Sequence, residues 1–300
     1  MNDPGRIVVL GAGPTGLGAA WRLQESGYSD FTVLDRAPAP GGLASSYVDD
    51  RGFTWDVGGH VQFSHYDYYD DLLDRALGDA WLWHERESWV WIRGRFVPYP
   101  FQNNIHRLPP EDRDRALAGL EGAAASRGSD APANFHEWIE RTFGPGIADL
   151  FMLPYNFKVW AYPPERLGVR WMGERVAVPD LERIRANIAA HRDDVSWGPN
   201  NRFRFPLRGG TGAIWRGVAA MVDASRLRMG AEVADVDTDA RVVRLRSGEQ
   251  IAYDTLVSSI PLDRLCRMAS GLEADTYRAA ESLVFSSTHV LVVGLRGDRP

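Results

Sequence analysis

Gly11, Gly13 and Gly16 stand in the string GAGPTG, the G-x-G-x-x-G spacing. The string follows the apolar run Ile7–Leu10 and precedes Leu17, Ala20 and Leu23, which recur at helical spacing. In such a strand, turn and helix, glycines permit the tight turn and close approach of the backbone to a pyrophosphate. The N–H groups and positive dipole of the helix N-terminus meet the ligand's charge. Thr15 lies in that turn. A second apolar run, Phe31–Leu34, ends on Asp35. An acidic residue about 20 positions after the glycines accepts hydrogen bonds from ribose hydroxyls. Glycine spacing alone is a weak signal, but the strand, the helix and the carboxylate together predict a dinucleotide site.

The elements that must hold these residues follow from patterning. Gly41 and Gly42, with Leu43 after them, come just past the second strand, where FAD-binding proteins return a loop to the pyrophosphate. Late in the chain, Glu232–Val236 and Val242–Leu245 alternate as a strand pair, and Tyr253–Ser259 reads as an apolar strand returning to the main sheet. This meander resembles the two-dinucleotide-fold flavoproteins of the amine oxidase type, and the resemblance implies FAD, with Val233 meeting adenine through its backbone. Between these ends lie helices. One spans 111–125; Asn134 with Glu137 forms a capping-box pair; 180–191 carries Leu181, Ile184 and Ile188 on one stripe. Trp89–Phe101 alternates about Arg93-Gly94-Arg95, as a hairpin does. The expected fold is α/β, a Rossmann-type FAD-binding domain with a helical insertion and an antiparallel β-sheet substrate domain. Residues 1–80 and 197–266 are assigned to the first, 81–108 and 267–300 to the sheet, and 109–196 to the insertion.

Composition bounds the function. A chain of 300 residues with 44% hydrophobic and 25% charged residues is globular, and a net charge of −6 without a basic run argues against nucleic acid as a partner. Cys266, the one cysteine, forms no internal bridge, and no secretory leader precedes Ile7, so a reducing cytoplasm is expected. The longest apolar run, HVLVVGL, is strand-sized rather than membrane-spanning, and is read as a strand in mid-sheet. His60 and His65 have no third ligand at metal spacing, so no metal is expected. Lys158 is the only lysine among 34 basic residues.

Several strings are more specific: DVGGH from Asp56, VPYPFQNNI from Val97, LPYNFKVWAYP from Leu153, MGERVAVPDL from Met172 and WGPNNRFRFPLRGGTG from Trp197. With GAGPTGLGAA and PGGLAS they resemble the eukaryotic-type UDP-galactopyranose mutases, FAD enzymes that interconvert the pyranose and furanose forms of UDP-galactose. The resemblance implies reduced FAD, recharged by NADPH or NADH, whose N5 attacks the anomeric carbon to form a covalent adduct. It places Gly58, Gly59 and His60 against the flavin, with the Gly59 carbonyl facing N5. Tyr99, Phe101 and Gln102 would hold uracil, Asn156 and Trp160 the ribose side, Arg175 the diphosphate and sugar, and Asn200 the galactose. It also implies that the chain as given is incomplete, the remainder supplying further Arg and Tyr ligands. The partner is then a UDP-sugar, and helices of the insertion leave room for a homo-oligomer. Two other readings share the dinucleotide motifs: an amine oxidase-like oxidoreductase, to which YPFQNN and GERVAVP do not belong, and a non-catalytic homologue.

Overall fold

All four residues of the strand Ile7–Leu10 are buried, so both faces of the strand need cover. In the computed structural model of the chain it lies inside a four-stranded parallel sheet in the order Thr255–Ser258, Ile7–Leu10, Phe31–Asp35, Leu227–Met229. Side-chain alternation divides the strand between two cores. Ile7 and Val9, with Phe31 and Val33, pack against Leu17, Ile214, Trp215 and Val218 from the helices Pro14–Glu25 and Gly212–Met221. Val8, Leu10 and Leu34 face the other way, onto Val236, Val243, Ile251 and Tyr253. The strands Val233–Asp237, Val242–Leu245 and Gln250–Ala252 form that cover as an antiparallel meander. Each such fully buried side chain contributes about 1.5–3 kcal/mol of transfer free energy.

The structure describes residues 4–58, 60–126, 130–172, 176, 178–195, 201–295 and 297. They fall into two units, residues 1–84 with 203–300, and residues 85–202. The hairpin after Trp89 thus belongs with the helical residues, and 267–300 with the parallel sheet.

In the second unit the strands Trp89–Ile92 and Arg95–Pro98 pair antiparallel. Arg93 and Gly94 take φ of 53° and 72° in the connecting turn, the primed geometry that matches strand twist. The ladder stops at Pro98, short of the expected Phe101, because Pro98 and Pro100 have no N–H to offer; Phe101–Arg107 winds instead into tight 3₁₀ turns. Four helices follow, Pro110–Ala125, Phe135–Ile147, Leu153–Trp160 and Leu181–Ala190, around Phe101, Ile105, Phe135, Ile139, Phe143 and Ile184. Asn134 caps its helix by accepting the Glu137 N–H at 2.9 Å, and Asp180 accepts that of Arg183 at 3.1 Å. The first two helices meet backbone to backbone. A Cβ on Gly144, whose φ is +69°, would stand 2.1 Å from the Gly119 carbonyl oxygen.

The Rossmann-type sheet, the helical insertion and the antiparallel strand pairs are those the sequence predicts. The run HVLVVGL is not a strand, however. Residues 283–295 form no strand, and Leu291 is 93% exposed. A strand needs a neighbour to satisfy its backbone, and apolar patterning alone supplies none.

Candidate functional site

The glycine turn in the first unit is built by steric necessity. A Cβ on Gly16 would lie 1.8 Å from the Gly11 carbonyl oxygen, and Gly11 itself has φ of +98° under the Ser259 hydroxyl. The helix beyond opens at Gly13 with no side chain capping it, which leaves its first N–H groups available to an anion. Opposite stands Gly42, with φ of +53°, and a Cβ there would come within 3.2 Å of the Gly13 Cα. The Gly41 N–H donates to the Ala12 carbonyl at 2.9 Å and locks the two glycine segments together. Two chain segments 29 residues apart in sequence thus present bare Cα atoms to one gap, a cradle that any side chain would fill. Thr15 and Leu43 are exposed at its edge, Leu43 by 79%.

Asp35 faces the turn. Its carboxylate accepts the Ala12 N–H at 2.6 Å and the Ala37 N–H at 2.7 Å, which fixes its orientation while each oxygen keeps a further acceptor site. The Ala231 N–H donates to the Asp35 carbonyl at 2.8 Å, so the start of the meander is tied to the same place, two residues before Val233. Gly11, Gly13, Gly16, Asp35, Gly42 and Val233 are therefore brought into one neighbourhood, whose bare backbone and helix N-terminus fit a dinucleotide's pyrophosphate.

A second helix start lies in this unit, where Thr211 precedes Gly212–Met221. Thr211 is fully buried; its N–H and hydroxyl each donate to the Asp56 carboxylate at 3.0 Å. The Ser46 hydroxyl also donates to Asp56 and accepts the Gly212 N–H at 2.7 Å. Gly210, with φ of +63°, leaves room for the carboxylate, since a Cβ there would lie 2.2 Å from it. Asp56 begins the segment that carries Gly58 and His60, so this network anchors the segment. His60 Nδ1 lies 3.0 Å from the Gly58 carbonyl oxygen, within hydrogen-bond distance, which orients the ring within this segment. Gly59, Arg175 and Asn200 lie outside the described residues.

The predicted base-binding residues lie in the second unit. Phe101 is fully buried and stacks on Phe151 at 4.3 Å, and Phe151 stacks on Tyr155 at 4.9 Å. Tyr155, 40% exposed, is the member of the stack that reaches solvent. Tyr99 is half-buried, and burial raises the pKa of its hydroxyl above the ordinary tyrosine value, keeping it protonated. Gln102 and Asn156 are buried, with Asn156 donating to the Met152 carbonyl at 2.8 Å. Trp160 is 39% exposed and meets Trp171 edge-on at 4.9 Å. A cleft of about 600 Å³ opens in the same unit, lined by Arg86, Arg183, Arg192, Arg202, Asp193 and Asp194.

Three features escape sequence reasoning. Tyr155 lies one helical turn from Phe151, and that spacing marks a shared face without saying which ring is outermost. The Asp56–Thr211 pair spans 155 positions, and no pattern in the sequence points to it. The cleft arginines carry no signal in so arginine-rich a chain. Among the described residues no cluster of three or more His, Cys, Asp or Glu side chains is arranged to hold a metal, and no helix is long and apolar enough to cross a membrane.

The chain is similar to a solved structure of reduced UDP-galactopyranose mutase, at 50% identity and a TM-score of 0.88 over 93% of this chain and 61% of that one. The likeness read from the mutase strings is thereby borne out. A fatty acid isomerase from P. acnes shares the fold at 16% identity, with a TM-score of 0.63 over 94% of this chain and 64% of that one. Coproporphyrinogen III oxidase of Mycobacterium tuberculosis is 24% identical over 98% of this chain and 67% of its own length. The chain thus spans about three fifths of the mutase and two thirds of the oxidase. The sequence profile of flavin containing amine oxidoreductases matches residues 14–300, and the chain belongs to that family.

Proposed function

We propose that the chain is the flavin-binding and base-binding part of an isomerase that interconverts UDP-galactopyranose and UDP-galactofuranose. One observation carries this reading: the 50% identity to a reduced mutase across 93% of the chain, far above the 14–19% of six further solved structures that share the fold. FAD, when bound and reduced by NADPH or NADH, supplies the nucleophile for the anomeric carbon. The protein's task is then to hold, orient and exclude.

Gly11, Gly13, Gly16 and Gly42 offer backbone to the pyrophosphate, with Thr15 and Leu43 beside it. Asp35 accepts the ribose hydroxyls, and Val233 meets adenine. Gly58, Gly59 and His60 line the flavin, with Asp56 and Thr211 holding that segment in place. On the substrate side, Tyr99, Phe101 and Gln102 recognise uracil through an aromatic surface and an amide, and Asn156 and Trp160 adjoin the ribose. Arg175 grips the diphosphate with a planar donor pair, and Asn200 meets the sugar. The cleft in the same unit carries four arginines against the carboxylates of Glu85, Asp193 and Asp194, a slight excess of positive charge that suits a nucleotide diphosphate.

The test is turnover of UDP-galactopyranose by the FAD-loaded full-length protein of which this chain is a part, before and after reduction, read by chromatography of the UDP-sugars, with UDP binding measured in parallel. Furanose formed only after reduction is the expected result. Oxygen consumption with an amine, without UDP binding, would instead assign the protein to the amine-oxidising members of its family.

A further inference from the structure

The side chain of Asn104 is fully buried, and every polar group it has is in use. Its Nδ2 donates to the carbonyls of Pro98 at 3.2 Å, Pro100 at 3.0 Å and Asp194 at 2.8 Å, while its Oδ1 accepts the Asp194 N–H at 2.8 Å. The two proline carbonyls flank Tyr99, so one amide grips the backbone on both sides of the first base-binding residue. The same amide makes a paired contact with the backbone of Asp194, 90 positions away. Asn187, also fully buried, reinforces the junction by donating to the Asn103 carbonyl at 3.3 Å and to the Asp194 carboxylate at 3.2 Å.

The need for asparagine follows from the groups it faces. The Pro100 carbonyl also accepts the Asn103 N–H at 3.1 Å, whereas the Pro98 carbonyl looks to the Asn104 amide, and a buried carbonyl left unpaired is costly. A carboxylate there would turn oxygen toward three carbonyl oxygens. A leucine of similar bulk would delete all four of these hydrogen bonds. A glutamine would be one methylene too long in a site with no spare volume.

We propose that Asn104 is a positioning residue for nucleotide recognition, acting through Tyr99 by fixing the Tyr99–Gln102 segment against Asp194. The proposal rests on the reading that Tyr99 contacts the base.

A double-mutant cycle separates the two. The Kd for UDP is measured by calorimetry for the unsubstituted chain, Asn104→Ser, Tyr99→Ala and the double variant, each well below its own thermal midpoint. Asn104→Ser is expected to weaken UDP ten- to thirtyfold in the parent, and by less than twofold when Tyr99 is already alanine. A purely structural amide would give equal losses in both backgrounds, and that result overturns the proposal, as does an Asn104→Ser chain that binds UDP like the parent while Tyr99→Ala does not. If Tyr99→Ala binds UDP as well as the parent, or the parent does not bind it, the base-binding reading fails first and the proposal with it. Should Asn104→Ser fail to fold, Asn104→Ala, which removes the amide without setting an oxygen against the carbonyls, takes its place under the same criteria.

Discussion

Three glycines of the cradle are required for three different reasons, and alanine at each should fail in a different way. Gly13 has φ of −76° and ψ of −175°, a conformation open to any residue, and its added methyl would find only the Gly42 Cα, at 3.9 Å. Gly13→Ala therefore leaves the apo fold within about 1 kcal/mol, the reduced freedom of the unfolded chain offsetting a slightly poorer helix cap. Its methyl sits in the gap where the pyrophosphate must approach. Losing two backbone N–H bonds to a charged phosphate costs about 3–6 kcal/mol, a rise in Kd of roughly a hundredfold to ten-thousandfold. Gly16→Ala should act in the opposite order, because a Cβ 1.8 Å from the Gly11 oxygen cannot be accommodated without moving backbone. The apo chain then loses about 3 kcal/mol or more before any ligand is added. Gly42→Ala falls between them, with about 1–2 kcal/mol for the left-handed conformation and a close approach to Gly13. Apo thermal melts and flavin-fluorescence titrations on the three variants give the comparison. A Gly13→Ala chain that binds FAD within threefold of the parent, or melts as early as Gly16→Ala, would refute the reasoning.

Thr211→Val keeps the side-chain shape and deletes the hydroxyl that donates to Asp56 at 3.0 Å. The loss of one charge-assisted bond, about 1.5–3 kcal/mol, should lower the midpoint of thermal unfolding by roughly 3–10 °C, and a shift under 1 °C by circular dichroism would contradict the anchoring role. Around Asp193 the protein should lose stability in acid by two routes. The hydrogen-bonded Arg107 guanidinium holds the Asp193 carboxyl below its ordinary value, so that contribution is present above about pH 4 and fades as pH falls through the folded pKa. Burial pushes the His106 imidazole down despite Asp193, with Arg107 and His191 adding to the effect; its neutral form is favoured, and stability falls as pH drops below about 6.5. Melts at pH 7 and 5 should converge in His106→Asn, and an unchanged slope would exclude this histidine as the cause.

Much of the first unit was legible because its signals are local. GAGPTG, the runs around it and Asp35 lie within one supersecondary unit, where spacing dictates geometry. The hairpin turn at Arg93-Gly94 and the cap at Asn134 were equally readable, since each depends on residues at most four apart. What escaped depends on contacts across the fold. Phe101 and Tyr155 are both aromatic, and only packing decides that Phe101 is interior while Tyr155 meets solvent. The end of the strand at Pro98 was written in the two prolines but masked by the alternation continuing through Tyr99 and Phe101. Asn104 reads as one more polar residue in QNN until the backbone of Asp194 is laid beside it.

The run near residue 290 has a practical consequence. Leu291, Val293 and Leu295 are 93%, 77% and 82% exposed, while Val290 and Val292 between them are each 46% exposed, and Gly294 rests on the Phe53 ring. Exposure thus alternates with the two-residue period of an extended chain, both sides being open and one more so than the other. Short, uncharged, β-branched segments with open backbone edges are the ones through which molecules stack on copies of themselves. Among the described residues this run is the one most open to such stacking. A single lysine at Leu291 or Val293 should raise the concentration at which light scattering first appears, while leaving the glycine cradle and the aromatic stack untouched.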